Sequence, residues 1–222
     1  HGARGSPETY AAALIAAWRA KGSEERPFLF DSVWDLMRVA DFLESHPWAD
    51  AGRIGATGVS LGGMHSWLWA VVDERVAAVA PMIGVQGFRY AVENEAYMAR
   101  VDSIRPLFEA VSTDLGAPID ADLVTAVWQA IVPGLLDEFD APTSLAAIAP
   151  RPVLVVNGED DPRCPAEGVR RAVKAAREAA AEVPGWRLDL RLDPGVGHRV
   201  TDEMFEAVSG FMEQELQQCA RM

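Results

Sequence analysis

Cysteine is scarce in this chain of 222 residues, which holds only Cys164 and Cys219. The two lie far apart in the sequence and lack the spacing of metal ligands, so neither a disulfide framework nor a zinc site is indicated. We therefore expect free thiols, no bound metal and a reducing compartment such as the cytoplasm.

Basic residues and long apolar runs are also lacking. The chain has 20 Lys and Arg residues against 33 Asp and Glu residues, which gives a net charge of -13. A surface of this sign repels phosphate backbones and anionic lipid headgroups, so we expect neither nucleic acid nor a membrane as a partner. No apolar run reaches the roughly 18 residues of a membrane span.

The beginning of the chain lacks both a Met and the basic and apolar regions of a secretory signal. The segment His1-Gly2-Ala3-Arg4-Gly5 is loop-like. We expect further residues upstream of it, so a targeting signal there stays open.

Strands and helices alternate along most of the chain, which predicts an α/β fold with a mostly parallel sheet flanked by helices. The run Val153–Val156 is continuously apolar, as is typical of a strand buried on both faces. Strands are predicted at 53–59, 76–80, 152–156 and 186–192. Helices are predicted at 7–20, 60–72 and 166–182. Another is predicted to begin at a cap, Asp31 or Ser32, and to stop at His46-Pro47. A last helix is predicted at the end of the chain, where Phe205, Val208, Met212 and Leu216 recur at helical spacing.

The middle of the chain differs from both ends. Between Gly84 and Pro150 no strand is evident, and helical stretches are predicted at 92–111 and 120–131. We therefore expect residues 1–84 to form the first part of an α/β core, 85–150 a helical cap insert, and 151–222 the second part of the core.

The strongest motif lies between a predicted strand and a predicted helix. Gly58-Val59-Ser60-Leu61-Gly62 matches G-x-S-x-G, in which a strained turn holds the serine hydroxyl out over the strand ends. The N–H of Leu61, at the helix N-terminus, would point to a substrate oxyanion. In the alternative interpretation the glycines only close the turn and Ser60 caps the helix.

An acid and a base follow in the order that this motif requires. In such a site the nucleophile, the acid and the base come in that order along the chain, each after a strand. Asp161 follows the strand 152–156, and His198 follows the strand 186–192. Asp160 competes with Asp161, but Asp161-Pro162 opens a turn that would carry the carboxylate toward the imidazole.

The other histidines are less suited to act as the base. His1 is terminal, His46 lies at a helix stop, and His65 lies inside the helix that follows Ser60. We therefore predict a Ser60, Asp161 and His198 triad.

Three segments resemble the esterase-like branch of the α/β hydrolases, near the dienelactone-hydrolase and prolyl-oligopeptidase-type catalytic domains. They are 53–64 (RIGATGVSLGGM), 157–165 (NGEDDPRCP) and 195–198 (GVGH). The resemblance implies the α/β-hydrolase fold and a cofactor-free hydrolase of small-molecule esters, a carboxylesterase. Dienelactone hydrolases use a cysteine nucleophile, so their specific reaction is not carried over to Ser60.

The resemblance also implies strands that this sequence does not show. Members of the family have about four strands before the segment that His1-Gly2 resembles, and the loop after the third supplies a second oxyanion N–H. We expect these strands upstream, because a sheet without them exposes an apolar face and a long edge. In a competing register His1-Gly2 is the oxyanion loop itself and Pro27–Phe30 is the fourth strand.

Several alternatives stay open at this point. The nucleophile turn also permits a peptidase, and the chain could be a hydrolase-like binding protein with an inactive site. Trp67 and Trp69 could line an acyl pocket or pack in the core, whereas a packing role is favoured for Cys164. The residues of the insert that could shape substrate access are Phe88, Arg89, Tyr90 and Trp128.

Overall fold

The chain forms a four-stranded parallel sheet. A computed structural model describes residues 7–20 and 29–219. The strands lie side by side in the order of the sequence, and each pairs in parallel with the next. They are β1 Ile54–Val59, β2 Val76–Met82, β3 Val153–Gly158 and β4 Leu188–Asp193. The predicted α/β class with a mostly parallel sheet is confirmed.

Two helices and a short 3-10 turn precede the sheet. They are α1 Pro7–Arg19, α2 Phe30–Glu44 and the turn Ala51–Arg53. No strand precedes β1 in the parts of the chain at 7–20 and 29–53. The competing register, in which Pro27–Phe30 is the fourth strand, is wrong for Leu29 and Phe30, because Leu29 lies in a turn and Phe30 begins α2. Pro27, Phe28 and His1-Gly2 fall outside the described residues.

Helix α2 starts earlier than the sequence predicts. Leu29 is its N-cap and already has helical backbone angles, with φ -93° and ψ -45°. The predicted caps Asp31 and Ser32 therefore lie within the first turn, and the prediction that either begins the helix is wrong. The Asp31 carboxylate still favours the helix from there, because the helix dipole is positive at this end.

Only helices and turns connect β2 to β3 in the structure. The predicted helix 92–111 is wrong, since that range is divided among three helices. Glu95 has a left-handed φ of 54°, which no helix continues through. Ile104 then caps a new helix with Pro106 in its first turn, where the missing proline N–H does no harm. The helices are α4 Phe88–Glu93, α5 Met98–Ser103, α6 Arg105–Leu115, α7 Ala121–Ile131 and α8 Ala141–Ser144, followed by the 3-10 turn Leu145–Ile148.

The remaining helices are α3 Leu61–Val72, α9 Ala166–Ala179 and α10 Asp202–Cys219. Helix α9 ends three residues before the predicted end. On α10, Val208 is buried, whereas Phe205 is half exposed. None of the helices in the described part of the chain is long and apolar enough to cross a membrane.

Both faces of the sheet are covered, and β3 shows how. Val153 and Val155 point into a large apolar cluster that also contains buried residues of α3 and α9. Leu154 and Val156 point into a smaller cluster formed with α10. Because neighbouring residues of a strand face opposite sides of the sheet, the continuous apolar run of β3 follows from burial on both sides.

Parallel strands place their carboxyl ends at one edge of the sheet. Ser60 directly follows β1, Asp161 lies in the loop after β3, and His198 lies in the loop after β4. The topology therefore brings three distant segments of the sequence to a common edge.

Candidate active site

Ser60 occupies a strained turn between β1 and α3. Its backbone has φ 56° and ψ -112°, a conformation that residues with a side chain rarely adopt. Its N–H donates a hydrogen bond to the carbonyl of Met82 at the end of β2, at 2.9 Å. The Ser60 side chain makes no capping hydrogen bond to α3. The interpretation of Ser60 as a mere helix cap is therefore not supported.

Three glycines make this turn sterically possible. A Cβ on Gly58 would lie 2.4 Å from the backbone carbon and oxygen of Gly62, and a Cβ on Gly63 would lie 2.6 Å from the carbonyl oxygen of Met82. A Cβ on Gly84 would lie 2.6 Å from the carbonyl oxygen of Ser60. The second glycine of the motif, Gly62, differs, because a Cβ there would meet nothing within 4 Å.

The structure brings Ser60, His198 and Asp161 together in one hydrogen-bonded chain of side chains, which we call the relay. The Oγ of Ser60 lies 2.8 Å from Nε2 of His198, although 138 positions separate the two residues. Nδ1 of His198 lies 2.8 Å from Oδ2 and 3.0 Å from Oδ1 of Asp161. The three side chains that the sequence predicts are therefore in hydrogen-bond contact in the predicted order.

The Asp161 carboxylate has a cradle of backbone donors in its own loop. Its Oδ1 accepts hydrogen bonds from the N–H groups of Arg163, at 2.8 Å, and Cys164, at 3.1 Å. The Asp161 side chain is fully buried, whereas Asp160 is exposed. The carboxylate that accepts hydrogen bonds from the His198 ring is that of Asp161, the residue that the sequence favours.

The loops that carry the acid and the base are tied to each other. The N–H of Asp160 donates to the carbonyl of Val196, at 3.0 Å, and the N–H of Glu159 donates to the carbonyl of Asp193, at 2.9 Å. A Cβ on Gly158 would lie 2.1 Å from the Val196 carbonyl oxygen, so only glycine allows this approach. The packing of the two loops thus fixes the distance between Asp161 and His198.

No protein-family model matches the chain. A curated Bacillus subtilis (strain 168) protein named "Putative hydrolase YtaP" is 24% identical over 142 residues, a match that covers 64% of this chain and 39% of that protein. Acetyl xylan esterase 1 from Thermoanaerobacterium sp. JW/SL YS485 is similar in structure, with a TM-score of 0.56 and 20% identity over 81% of this chain and 51% of that one. A puromycin-hydrolyzing peptidase of Mycobacterium tuberculosis has a TM-score of 0.56 and 18% identity over 86% of this chain and 25% of that one.

The chain has the α/β-hydrolase fold. It spans 39% of the length of YtaP and about half of the length of the esterase. In this fold the sharp connection from a strand to a helix that exposes a side chain above the sheet is called the nucleophile elbow, and Ser60 lies in such a connection, between β1 and α3.

Leu61 directly follows Ser60 and is the first residue of α3. The first N–H groups of a helix have no acceptor within the helix, and the dipole favours a negative charge near them. The N–H of Leu61 is therefore a backbone donor at a helix N-terminus, directly after Ser60. The second donor that the resemblance implies is not assigned among the described residues.

The other histidines lie away from this relay. Nδ1 of His46 lies 2.9 Å from the carbonyl oxygen of Phe42, at the end of α2. His65 is on α3, in a groove beside Thr57 of β1. His1 falls outside the described residues.

Cys164 lies close to the relay but is buried beneath it. Its thiol donates to the carbonyl of Ile83 at 3.3 Å, and burial raises the pKa of the Cys164 thiol to about 12. The ligand atoms of Cys164, Asp161 and His198 lie within 4.8 Å of one another, as in a small metal site. Because a nucleophile or a metal ligand must be a thiolate, the raised pKa favours the packing role that the sequence predicts.

The aromatic residues singled out in the sequence belong mainly to the core. Trp67 is fully buried and donates its indole N–H to the Gly84 carbonyl at 3.4 Å, and Trp69 donates to Asp73 at 3.0 Å. Trp128 packs edge-on against both Phe88 and Phe108. Two other residues of the insert were singled out in the sequence, Arg89 and Tyr90. Both line an open groove on the insert.

An apolar cavity of about 150 Å³ lies between α2, α3 and the segment 132–139. Neither Ser60 nor His198 lines it, so it does not extend the relay as an acyl pocket. Its lining residues include Leu29, Val33, Trp34, Leu68, Leu135 and Phe139.

Sequence reasoning missed two buried residues that hold the acid loop. Asn157 donates from Nδ2 to the carbonyl of Cys164 at 2.9 Å. Arg100, on α5, donates from Nη2 toward the carbonyl of Arg163 at 3.3 Å. Asn157 lies near the end of β3 and precedes Gly158, which is a weak signal for a turn. Arg100 has no local signal, because its contact with the acid loop joins positions 63 residues apart.

Proposed function

We propose that this chain carries the catalytic residues of a serine hydrolase that cleaves carboxylic esters through an acyl-enzyme intermediate. The observation that carries the proposal is the relay from Ser60 through His198 to Asp161, with contacts of 2.8 Å on both sides of the imidazole. The strained backbone of Ser60 supports it, since such strain is concentrated at functional sites.

The first half of the reaction forms the acyl-enzyme. Nδ1–H of His198 donates to the Asp161 carboxylate, which leaves the Nε2 lone pair free to accept the Ser60 proton. Oγ of Ser60 then attacks the ester carbonyl carbon, and the N–H of Leu61 stabilises the oxyanion. The imidazolium returns its proton to the leaving alcohol as the carbon–oxygen bond breaks.

Water completes the reaction by the same route. Nε2 of His198 accepts a proton from water as the water oxygen attacks the acyl carbon. The bond between the acyl carbon and Oγ of Ser60 then breaks, the protonated imidazole gives its proton to Oγ, and the carboxylic acid leaves. Asp161 keeps the imidazole oriented and stabilises its charge in both halves. These steps require no cofactor.

One feature of the comparisons favours esters. The acetyl xylan esterase superposes over 81% of this chain and the peptidase over 86%, but the match covers 51% of the esterase and only 25% of the peptidase. A serine peptidase remains the second candidate, since the same relay cleaves amides.

Hydrolysis of short p-nitrophenyl esters tests the proposal. We expect the unmodified chain to release p-nitrophenol, and Ser60→Ala to lower kcat by at least about 10³-fold. Ser45→Ala is the matched control, because Ser45 is exposed at the end of α2 and its hydroxyl contacts the Phe42 carbonyl and the ring of His46, neither of which belongs to the relay. Full activity of Ser60→Ala would contradict the proposal.

A parallel assay with p-nitroanilides separates the two candidate reactions. Faster cleavage of an ester than of the matched anilide supports an esterase, and preference for the anilide supports the peptidase. A chain that binds an ester without releasing product would instead be an inactive binding protein.

A further inference from the structure

Arg100 is a buried cation without an acidic partner in the described part of the chain. Only 5% of its surface is exposed, and its Nε has no hydrogen-bond acceptor. Among the described residues, Nη2 donates to Oε1 of Gln86 at 3.2 Å, the carbonyl of Arg163 at 3.3 Å and Sγ of Cys164 at 3.5 Å. A buried guanidinium is costly unless a negative charge compensates it.

The buried carboxylate of Asp161 lies on the other side of Cys164. The N–H of Cys164 donates to Oδ1 of Asp161, while Sγ of the same residue contacts Nη2 of Arg100. Cys164 therefore lies between the buried guanidinium of Arg100 and the buried carboxylate of Asp161.

Arg100 also anchors the peptide groups that cradle the acid. The N–H of Arg163 donates to Oδ1 of Asp161, and the carbonyl of Arg163 accepts from Arg100. Asn157 holds the next carbonyl, that of Cys164, from the opposite side. The loop that orients Asp161 is therefore fixed by two side chains from outside it.

Two other titratable groups beside Arg100 favour their neutral forms. Tyr10 of α1 lies close to Arg100, and burial raises the pKa of the Tyr10 phenol, although the charge of Arg100 opposes the shift. Burial likewise raises the pKa of Cys164 to about 12. Within the acid loop, charge is carried by Asp161 and Arg163, and Arg100 is joined to both through the contacts of Arg163 and Cys164.

We propose that Arg100 is a positioning residue of the relay: it fixes the loop that cradles Asp161 and supplies the buried countercharge that sets the basicity of His198. This inference rests on the proposed function of the relay. Arg100 touches neither the nucleophile nor the imidazole, so it acts only through Asp161 and its loop.

The consequence for His198 has a definite sign. Loss of the positive charge leaves the Asp161 carboxylate less compensated, which stabilises the imidazolium form of His198 and raises its pKa. At low pH, kcat/KM falls because the base becomes protonated. This low-pH part of the profile, the acid limb, then moves to higher pH. A merely structural residue would lower stability without moving this limb.

Variants at Arg100 can be compared with a matched control at Arg151. Arg151 is also partly buried and also binds backbone carbonyls, those of Asp73 and Val76, but it lies at the opposite end of the sheet from Ser60. Arg100→Met removes both the charge and the donors, Arg100→Lys keeps the charge, and Arg100→Gln keeps a donor without the charge. The Gln variant tests the same expectation where the Met variant does not fold.

The decisive measurement is an NMR titration of the His198 imidazole, together with the pH profile of kcat/KM. For Arg100→Met or Arg100→Gln we expect the His198 pKa and the acid limb to rise by about half a unit or more. We expect Arg100→Lys to restore the pKa but only part of kcat, because one ammonium group reproduces the contacts incompletely. Arg151→Met should leave the His198 pKa unchanged.

An unchanged His198 pKa in folded Arg100→Met or Arg100→Gln protein overturns the inference. So does an equal shift in Arg151→Met. The titration reads the imidazole directly, so it is interpretable even if the unmodified chain cleaves no ester. A failure of the proposed function and a failure of the role of Arg100 are therefore distinguishable.

Discussion

The Asp161 carboxylate holds the His198 ring through both of its oxygens, at 2.8 and 3.0 Å from Nδ1, and its side chain has no exposed surface. The two residues come from loops that follow the neighbouring strands β3 and β4. Those loops touch at Gly158, where a side chain would collide with the Val196 carbonyl. The acid and the base are therefore held in register by the packing of the fold itself.

Asp161→Asn tests the role of this contact. An amide in place of the carboxylate favours the wrong tautomer of His198, so we expect kcat/KM toward p-nitrophenyl esters to fall by about 10⁴-fold. Asp160→Asn is the control, because Asp160 is adjacent but exposed and should keep nearly full activity. A loss below tenfold in Asp161→Asn, or equal losses in both variants, contradicts the assignment of the acid.

The glycines of the elbow should differ in their tolerance of a methyl group. We expect Gly58→Ala to destabilise the fold and lower activity strongly, because its Cβ would meet the Gly62 backbone at 2.4 Å. Gly62→Ala has open space and should gain up to about 1 kcal/mol of stability from its better helix propensity. Thermal unfolding of both variants measures the difference between them. Equal falls in the two melting temperatures would contradict this prediction.

Asp73 should make the fold sensitive to acid. Its burial raises the pKa of the carboxyl, but hydrogen bonds from Arg75 and Trp69 outweigh this and hold the pKa below its usual value. A lowered folded pKa stabilises the protein above the unfolded pKa of about 3.9, and this stabilisation is lost as the pH falls through the folded value.

We therefore expect Asp73→Asn to lower the free energy of unfolding at pH 7 by about 2 kcal/mol, with a difference that shrinks below pH 4. Urea unfolding at several pH values measures it. Glu178→Gln is the control, because its ion pair with Lys174 is exposed and should contribute less than about 1 kcal/mol. A difference for Asp73→Asn that stays constant with pH would argue against this account.

The helical insert 85–150 should unfold together with the sheet. Trp128 of α7 lies in the same apolar cluster as Trp67 of α3, so the insert and the core share their packing. We expect Trp128→Ala to cost about 3–5 kcal/mol and to keep a single cooperative transition. Trp34→Ala, at a side chain that is 58% exposed, should cost far less. Two separate transitions would show that the insert is an independent unit.

The sequence carries local signals for the sheet and for the relay. The apolar run of β3 predicts its burial on both faces, and Ser60, Asp161 and His198 each follow a strand in the required order. The break at Glu95 was not predictable, because a left-handed residue other than glycine or asparagine leaves no sequence signal. The start of α2 was missed because its N-cap, Leu29, makes no side-chain capping hydrogen bond that its residue type could indicate. Arg100 was not predictable either, because its surroundings form only when α5 meets the acid loop.

The central claim is that Ser60 is the activated nucleophile, and its most direct test is covalent labelling. A fluorophosphonate probe reacts with a serine that a neighbouring base has activated, and mass spectrometry of the digested protein locates the adduct. We expect one adduct, on the peptide that contains Ser60, which Ser60→Ala abolishes and Ser45→Ala retains. Absence of the adduct from the folded, unmodified chain, or its persistence in Ser60→Ala, would contradict the claim.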